Sequence, residues 1–200
     1  MKAICINGSA RSNGSTEYIV DKVIEGMKEN SIETRKHCLG NLNINYCCGN
    51  KKCYETGKCV KKDDVQMIIS DIAESDIVVI ATPDYWGDIT GQLKVFFDRT
   101  TPYGDTNENR KLTMSQNKVG IAISIRAGKT ERENIHILES IEHYFGHLSI
   151  KPIARLGIRE TDSLEELLEK HQQEINEAYE LGKSVHKYVE ENKKEKKCLN

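Results

Sequence analysis

The sequence predicts an α/β protein: a flavodoxin-like, doubly wound, five-stranded parallel sheet of order 2-1-3-4-5, with a cysteine-rich loop after strand 2. Three observations carry this. Residues 76–83 (DIVVIATP) and 119–125 (VGIAISI) are unbroken, largely β-branched apolar runs, which suit parallel strands buried on both faces better than half-exposed antiparallel ones. Strand-like and helix-like periods alternate along the chain, and right-handed crossovers turn that alternation into a doubly wound sheet. Five strands favour the flavodoxin-like order over the six-stranded dinucleotide-binding one.

The elements follow in order. Residues 2–7 (KAICIN) form an apolar strand that stops at Gly8-Ser9, and Ile19, Val20, Val23, Ile24 and Met27 then share one helical face. Ile32 to Cys38 fits a second strand, followed by the cysteine loop and a helix from Asp63 to Ile72 with Val65, Ile68, Ile69 and Ile72 inward. After the third strand at 76–83 come a helix at 91–99, the fourth strand at 119–125, and a helix at 131–145 that Gly146 is expected to interrupt. Residues 148–158 make a last strand, at an edge because Pro152 cannot donate to a ladder. A helix over 163–191 closes a single domain, residues 1–191, without repeat or linker. The tail 192–200 (NKKEKKCLN) is expected to fray, with its lysines solvated.

Bulk composition narrows the function. The 200 residues are enough for one full-sized core, and a net charge of −2 lacks the basic excess that a nucleic-acid partner needs. No run of about 18 apolar residues spans a membrane, and MKAICINGSA turns to glycine and serine too early for a signal peptide. A cytoplasmic protein is expected. There, seven cysteines read as thiols or ligands before disulfides.

In such a sheet a ligand binds beyond the carboxyl ends of the strands, where winding reverses, here between strands 1 and 3. Both flanking loops have fitting chemistry. GSARSNGST, residues 8–16, leads into a helix whose free amides and dipole attract a phosphate, with hydroxyls and Arg11 as further donors. Gly8, Ser12, Asn13 and Ser15 are equally ordinary turn and cap residues, so this loop alone leaves a capped turn and a phosphate cradle open. The spacing is not GxGxxG, which favours a phosphate monoester over a dinucleotide. After strand 3, Tyr85 and Trp86 stand between Pro83 and Gly87 in a loop where exposed aromatics need a cover. A flat ring stacked on them, with Gly87 letting the backbone approach, supplies it; a neighbouring helix or second subunit is the competing cover. The two loops together favour a flavin.

GSARSNGST followed by TPDYWGDITGQLKVFFDR resembles the NADPH-dependent FMN reductase family over most of residues 1–155. The resemblance implies FMN as cofactor. Ser9, Arg11, Ser15 and Thr16, within a loop that also holds Ser12 and Asn13, would grip its phosphate. Pro83, Asp84, Tyr85, Trp86 and Gly87 would border the ribityl chain and ring, and the third family loop would bring Arg126 and Gly128.

Within that family, iron-sulfur flavoproteins carry a compact motif, Cys-x2-Cys-x2-Cys plus a fourth cysteine, and INYCCGNKKCYETGKC resembles it. Cys47, Cys53 and Cys59 fall in register; Asn50 stands where the second cysteine belongs, and Cys48 lies two residues early. Three readings stay open: a 4Fe-4S cluster on Cys47, Cys48, Cys53 and Cys59, a zinc site on the same thiols, or free thiols.

The remaining motifs read as structural. AGKT at 127–130 lacks the earlier glycine of a P-loop, His143 and His147 belong to the surface, and Asp98-Arg99 reads as a charge pair or subunit contact. The function expected is an FMN-dependent oxidoreductase that takes a hydride from NAD(P)H and passes electrons to a small molecule, quinone or redox protein, as a homo-oligomer. The alternatives are a flavodoxin-like carrier, an iron-sulfur flavoprotein exchanging electrons with ferredoxin, and a thiol redox sensor.

Overall fold

Residues Ile77 through Thr82 and Val119 through Ile125 are all buried, as expected of central strands covered on both sides. The computed structural model describes residues 1–112, 114–115 and 117–197. In chain order these form β1 (Lys2–Asn7), α1 (Ser15–Lys28), β2 (Glu33–Cys38), α2 (Lys52–Thr56), α3 (Val65–Glu74), β3 (Ile77–Pro83), α4 (Gly91–Arg99), β4 (Val119–Ile125), α5 (Glu131–His147), β5 (Lys151–Ile158), α6 (Leu164–Lys170) and α7 (Gln172–Lys197). The strands run parallel in the order β2-β1-β3-β4-β5. Pro152 accordingly lies on an edge strand, where its missing N–H costs least.

Alternation along each strand divides the core in two. Ile77, Val79 and Ala81 face α1, α6 and α7, while Val78 and Ile80 face α3, α4 and α5. The α1–α7 contact is close because both helices use glycine. A Cβ on Gly26 would lie 2.0 Å from the Tyr179 carbonyl oxygen, and one on Gly182 would lie 2.0 Å from that of Val23.

Four local expectations change. α5 runs through Gly146 to His147, since a glycine so near a helix end costs only about 1 kcal/mol. The closing helix is two, broken at His171 (φ −121°, ψ 38°), and neither glycine nor proline marks the break. α7 continues to Lys197, through most of the stretch expected to fray, with Asn192 buried; residues 198–200 lie outside the described ones. Asp98 and Arg99 do not pair with each other, because adjacent helical residues point in different directions. Asp98 pairs with Lys94 one turn back, while Arg99 turns inward to Asp63.

Candidate functional site

The first loop is shaped by the strand before it. The Asn7 side chain, wholly buried, accepts the Ser9 N–H at 2.9 Å, and the Gly8 N–H bonds the Ala81 carbonyl at 2.8 Å, so the turn begins at a fixed height above β1 and β3. Asn13 adopts a left-handed φ of 58° before Gly14, the N-cap of α1, which makes no side-chain cap bond. The first-turn amides of α1 are thus free of a side-chain cap, the arrangement that attracts a phosphate. Arg11 sits alongside, its guanidinium donating to the Asp162 carbonyl at 3.2 Å. Glu17 in the first turn opposes an anion, yet it is held ionised below its usual range by its hydrogen bond from Lys36 and by the Asn13 amide, so Lys36 offsets its charge.

The loop after β3 is a two-residue turn. Tyr85 N–H bonds Asp88 O at 3.0 Å and Asp88 N–H returns to Tyr85 O at 3.3 Å. Trp86 (φ 60°) and Gly87 (φ 75°) between them are both left-handed, as a type I′ turn demands. Glycine accepts this freely; tryptophan does not, and its side chain is fully exposed while Tyr85 is 41% exposed. Gly87 serves the turn with its left-handed φ, and a Cβ there would sit 3.5 Å from Glu133.

Asp84 ties this turn to the loop after β4. It accepts the Gly87 N–H at 2.6 Å and faces the buried Arg126 at 3.2 Å, and Arg126 also pairs with Glu133 and donates to Thr130 O at 2.8 Å. Arg126 therefore braces two loops from below. It is the Arg126 Nε that faces Asp84 Oδ2 at 3.2 Å, an ion pair without hydrogen-bond alignment. Gly128 packs against this guanidinium, where a Cβ would come within 2.4 Å of Nη2.

Ser9, Arg11, Ser15, Thr16, Pro83, Asp84, Tyr85 and Arg126 line one cleft of ≈ 90 Å³. That is about three waters' worth of space, room for a phosphate and the start of its chain. A fused ring system is too large for it. Ser12 and Asn13 are exposed beside the cleft, and Trp86, Gly87 and Gly128 do not line it. Two groups that sequence reading missed complete the arrangement. Thr161 and Asp162 close the cleft from the loop after β5, where the capping signal T-D-S-x-x-E marks a helix start on the same sheet edge. Thr90, wholly buried, caps α4 by accepting Leu93 N–H and donates to Gly8 O at 2.7 Å, joining the two ligand loops.

The cysteine loop is anchored from inside. Arg99 and Asp63, both with fully buried side chains, pair at 2.6 and 3.0 Å, and Arg99 also donates to Asn45 O at 2.6 Å. Burial pushes the Asp63 carboxyl up, but Arg99 and Asn45 outweigh it and hold it at about 2. Asn107 donates to Cys53 O at 3.1 Å and Asn109 to Tyr54 O at 2.6 Å. Burial raises the Cys53 thiol, and charge on Cys59 and Cys47 raises it further. Cys47 and Cys48 are exposed, and Cys53 and Cys59 are half-buried. Cys59 also neighbours Arg99, whose Nε has no hydrogen-bond partner among the described residues, and Gly49 N–H approaches the Cys47 sulfur at 3.4 Å. Among the described residues no three candidate ligands are gathered as a metal site. His143 and His147 lie on the surface as expected, their Nε2 atoms 3.2 Å apart.

Fold and cleft together define a flavodoxin-like protein with a polar cleft at the sheet's winding reversal and an aromatic turn beside it. A model of the NADPH-dependent FMN reductase family matches residues 1–156, and the chain belongs to that family. It is 33% identical over 145 residues to an iron-sulfur flavoprotein of Methanocaldococcus jannaschii, covering 72% of each chain. To an iron-sulfur flavoprotein of Archaeoglobus fulgidus it is 33% identical over 135 residues, 68% of this chain but only 59% of that one. The solved structure of an NAD(P)H:quinone oxidoreductase from Methanothermobacter marburgensis shares the fold, with a TM-score of 0.71 at 14% identity over 93% of this chain and 97% of that one. Among the described residues no helix is long and apolar enough to cross a membrane.

Proposed function

We propose that this chain is an FMN-dependent oxidoreductase that accepts a hydride from NAD(P)H and delivers electrons to a small molecule, a quinone or a redox protein. The observation that carries the reading is one cleft where the uncapped start of α1, Arg11 and Ser9 meet Tyr85 of the aromatic turn. When bound, FMN supplies the hydride and electron chemistry. The side chains supply grip and orientation. Arg11, Ser9 and the first-turn amides of α1 hold the phosphate; Arg126 fixes the Asp84 turn; Tyr85 and Trp86 present an apolar shelf for the ring. With Trp86 fully exposed, one face of that shelf lies open to an acceptor or to a second copy of the chain in a homo-oligomer. FMN titration into apoprotein should quench flavin fluorescence at one equivalent, and the loaded protein should oxidise NAD(P)H with a quinone present. Absence of quenching refutes the reading.

A second reading rests on the relatives named iron-sulfur flavoprotein and on Cys47, Cys48, Cys53 and Cys59 sharing one loop. An iron-sulfur cluster held by Cys47, Cys53 and Cys59, with the fourth position met by Cys48 or left open, would add a one-electron centre to the protein. Iron and sulfide analysis after anaerobic purification decides it.

A further inference from the structure

Three of the chain's six histidines gather on one wall of a cavity that shares no residue with the cleft lined by Ser9 and Arg11. The cavity measures ≈ 540 Å³, and α4 and α5 both contribute to it, α5 through His136, His143 and His147. Positions 143 and 147 are one helical turn apart, so they share a face. Their Nε2 atoms stand 3.2 Å apart, with the rings inclined at 87° and the ring centres 4.7 Å apart. A straight hydrogen bond between two imidazoles at that nitrogen separation would set the centres about 5.5 Å apart. Two rings holding one ion at about 2.05 Å, at an angle between square and tetrahedral, have nitrogens about 3.0–3.4 Å and centres about 4.5–5.2 Å apart. Both distances in this pair fall within those ranges.

From this we infer that His143 and His147 form a binding site for one divalent transition-metal ion of the zinc, nickel and copper class, which imidazole nitrogen suits. A ligating Nε2 needs its ring proton on Nδ1. The His147 Nδ1 faces Asp105 Oδ1 at 3.4 Å, the carboxylate–histidine arrangement that fixes the tautomer of a metal ligand. Asp105 is itself positioned: its N–H donates to the His147 carbonyl at 2.9 Å, and its own carbonyl accepts from Arg110 at 2.7 Å. His147 is also the last residue of α5, where the free carbonyls of a helix end favour a cation. Lysine does not outweigh acid on the cavity wall, since Lys94 pairs with Asp98 and Asp88 remains. Among the described residues no third candidate ligand joins the pair, so water fills the other positions from the cavity side. Two protein ligands and an open side make the ion exchangeable, unlike that of a closed structural site.

The test titrates zinc chloride by calorimetry into the full chain, with its accessible thiols blocked by N-ethylmaleimide so that the cysteines do not compete. One equivalent should bind. H143A and H147A should each abolish that equivalent, and D105N should weaken it by about tenfold, while H186A, on α7, leaves it unchanged. Nitrogen-15 spectra of the imidazoles should show the Nε2 signals of His143 and His147 moving with zinc while the His147 Nδ1 keeps its proton. In D105N without zinc, the His147 ring should shift towards the tautomer protonated on Nε2, which a merely structural role for Asp105 would not produce. Zinc uptake no greater than that of the H143A/H147A double variant overturns the site, as do Nε2 signals that stay in place. So do a loss in H136A equal to that in H147A, and half an equivalent bound between two copies of the chain.

Discussion

Replacing Asp63 by Asn tests the anchoring of the cysteine loop. The Asp63 carboxylate accepts from both Arg99 guanidinium nitrogens at 2.6 and 3.0 Å, from the Asn45 N–H at 3.0 Å and from its side-chain amide at 3.2 Å. Asn keeps the shape but removes the charge, leaving Arg99 buried and uncompensated, which costs about 3–5 kcal/mol. The pH profile provides an independent measure. A carboxyl held at about 2 instead of 3.8 contributes roughly 2.5 kcal/mol. Because the folded value is depressed, that contribution is fully present above about pH 5 and is lost as pH falls through 4 towards 2. Urea denaturation of the parent and D63N apoproteins should therefore differ by several kcal/mol at pH 7 and converge towards pH 2. Thiol labelling of Cys53 and Cys59 should speed up in the variant as the loop loosens. A difference below about 1 kcal/mol at pH 7, or one that does not shrink in acid, refutes the assignment of Asp63 and Arg99 as the loop's anchor.

Other substitutions separate fold from site. Thr90→Val removes the α4 cap and leaves Gly8 O unpaired, so about 2–3 kcal/mol of stability should go in denaturant titration, with weaker FMN binding alongside. Trp86→Gly places glycine at a left-handed φ of 60°; apoprotein stability should rise by about 1 kcal/mol while FMN affinity by fluorescence titration falls. Gly26→Ala drives a methyl to 2.0 Å from the Tyr179 carbonyl and should cost about 3 kcal/mol by thermal or urea unfolding, with FMN binding kept in the folded fraction. Lys118, buried with its ammonium on Ala73 O at 2.8 Å and on Ser75 O, is held down to about 8 by burial. Its depressed value means the folded state binds fewer protons between about pH 8 and 10.5. Stability of the parent relative to K118M should therefore rise by about 3 kcal/mol across that window, read by urea titrations at each pH.

The sheet was legible because its signal is redundant. β3 and β4 are wholly apolar over most of their length, and the helices between strands repeat their buried positions at i, i+3 and i+4, so topology followed from two patterns that agree. What escaped notice had no local chemistry to announce it. The break at His171 lies in a run of good helix formers, and the short helix α2 starts from Lys51 at a left-handed φ of 57°. The Asp63–Arg99 pair joins residues 36 positions apart. Nothing along the chain marks those partners, because a long-range ion pair leaves no period.

The site shows the same division, with a physical reason. The loop after β1 was readable by the hydroxyls and arginine gathered at a helix start, and the aromatic turn because it departs from a local rule, a tryptophan standing where a turn wants a small residue. Such departures persist only where the surrounding structure over-determines them, and they gather where ligands bind. Thr90 and Arg126 were harder to read because they brace the loops. Thr90 is an ordinary helix cap whose second bond reaches back 82 residues to Gly8, and Arg126 spends its charge on Asp84 and Glu133. Ligand-facing chemistry thus survives in short motifs, whereas the bracing that holds two motifs at one height belongs to the three-dimensional arrangement. This is why substitutions at Thr90 should affect stability and FMN affinity together, and those at Trp86 should drive them apart.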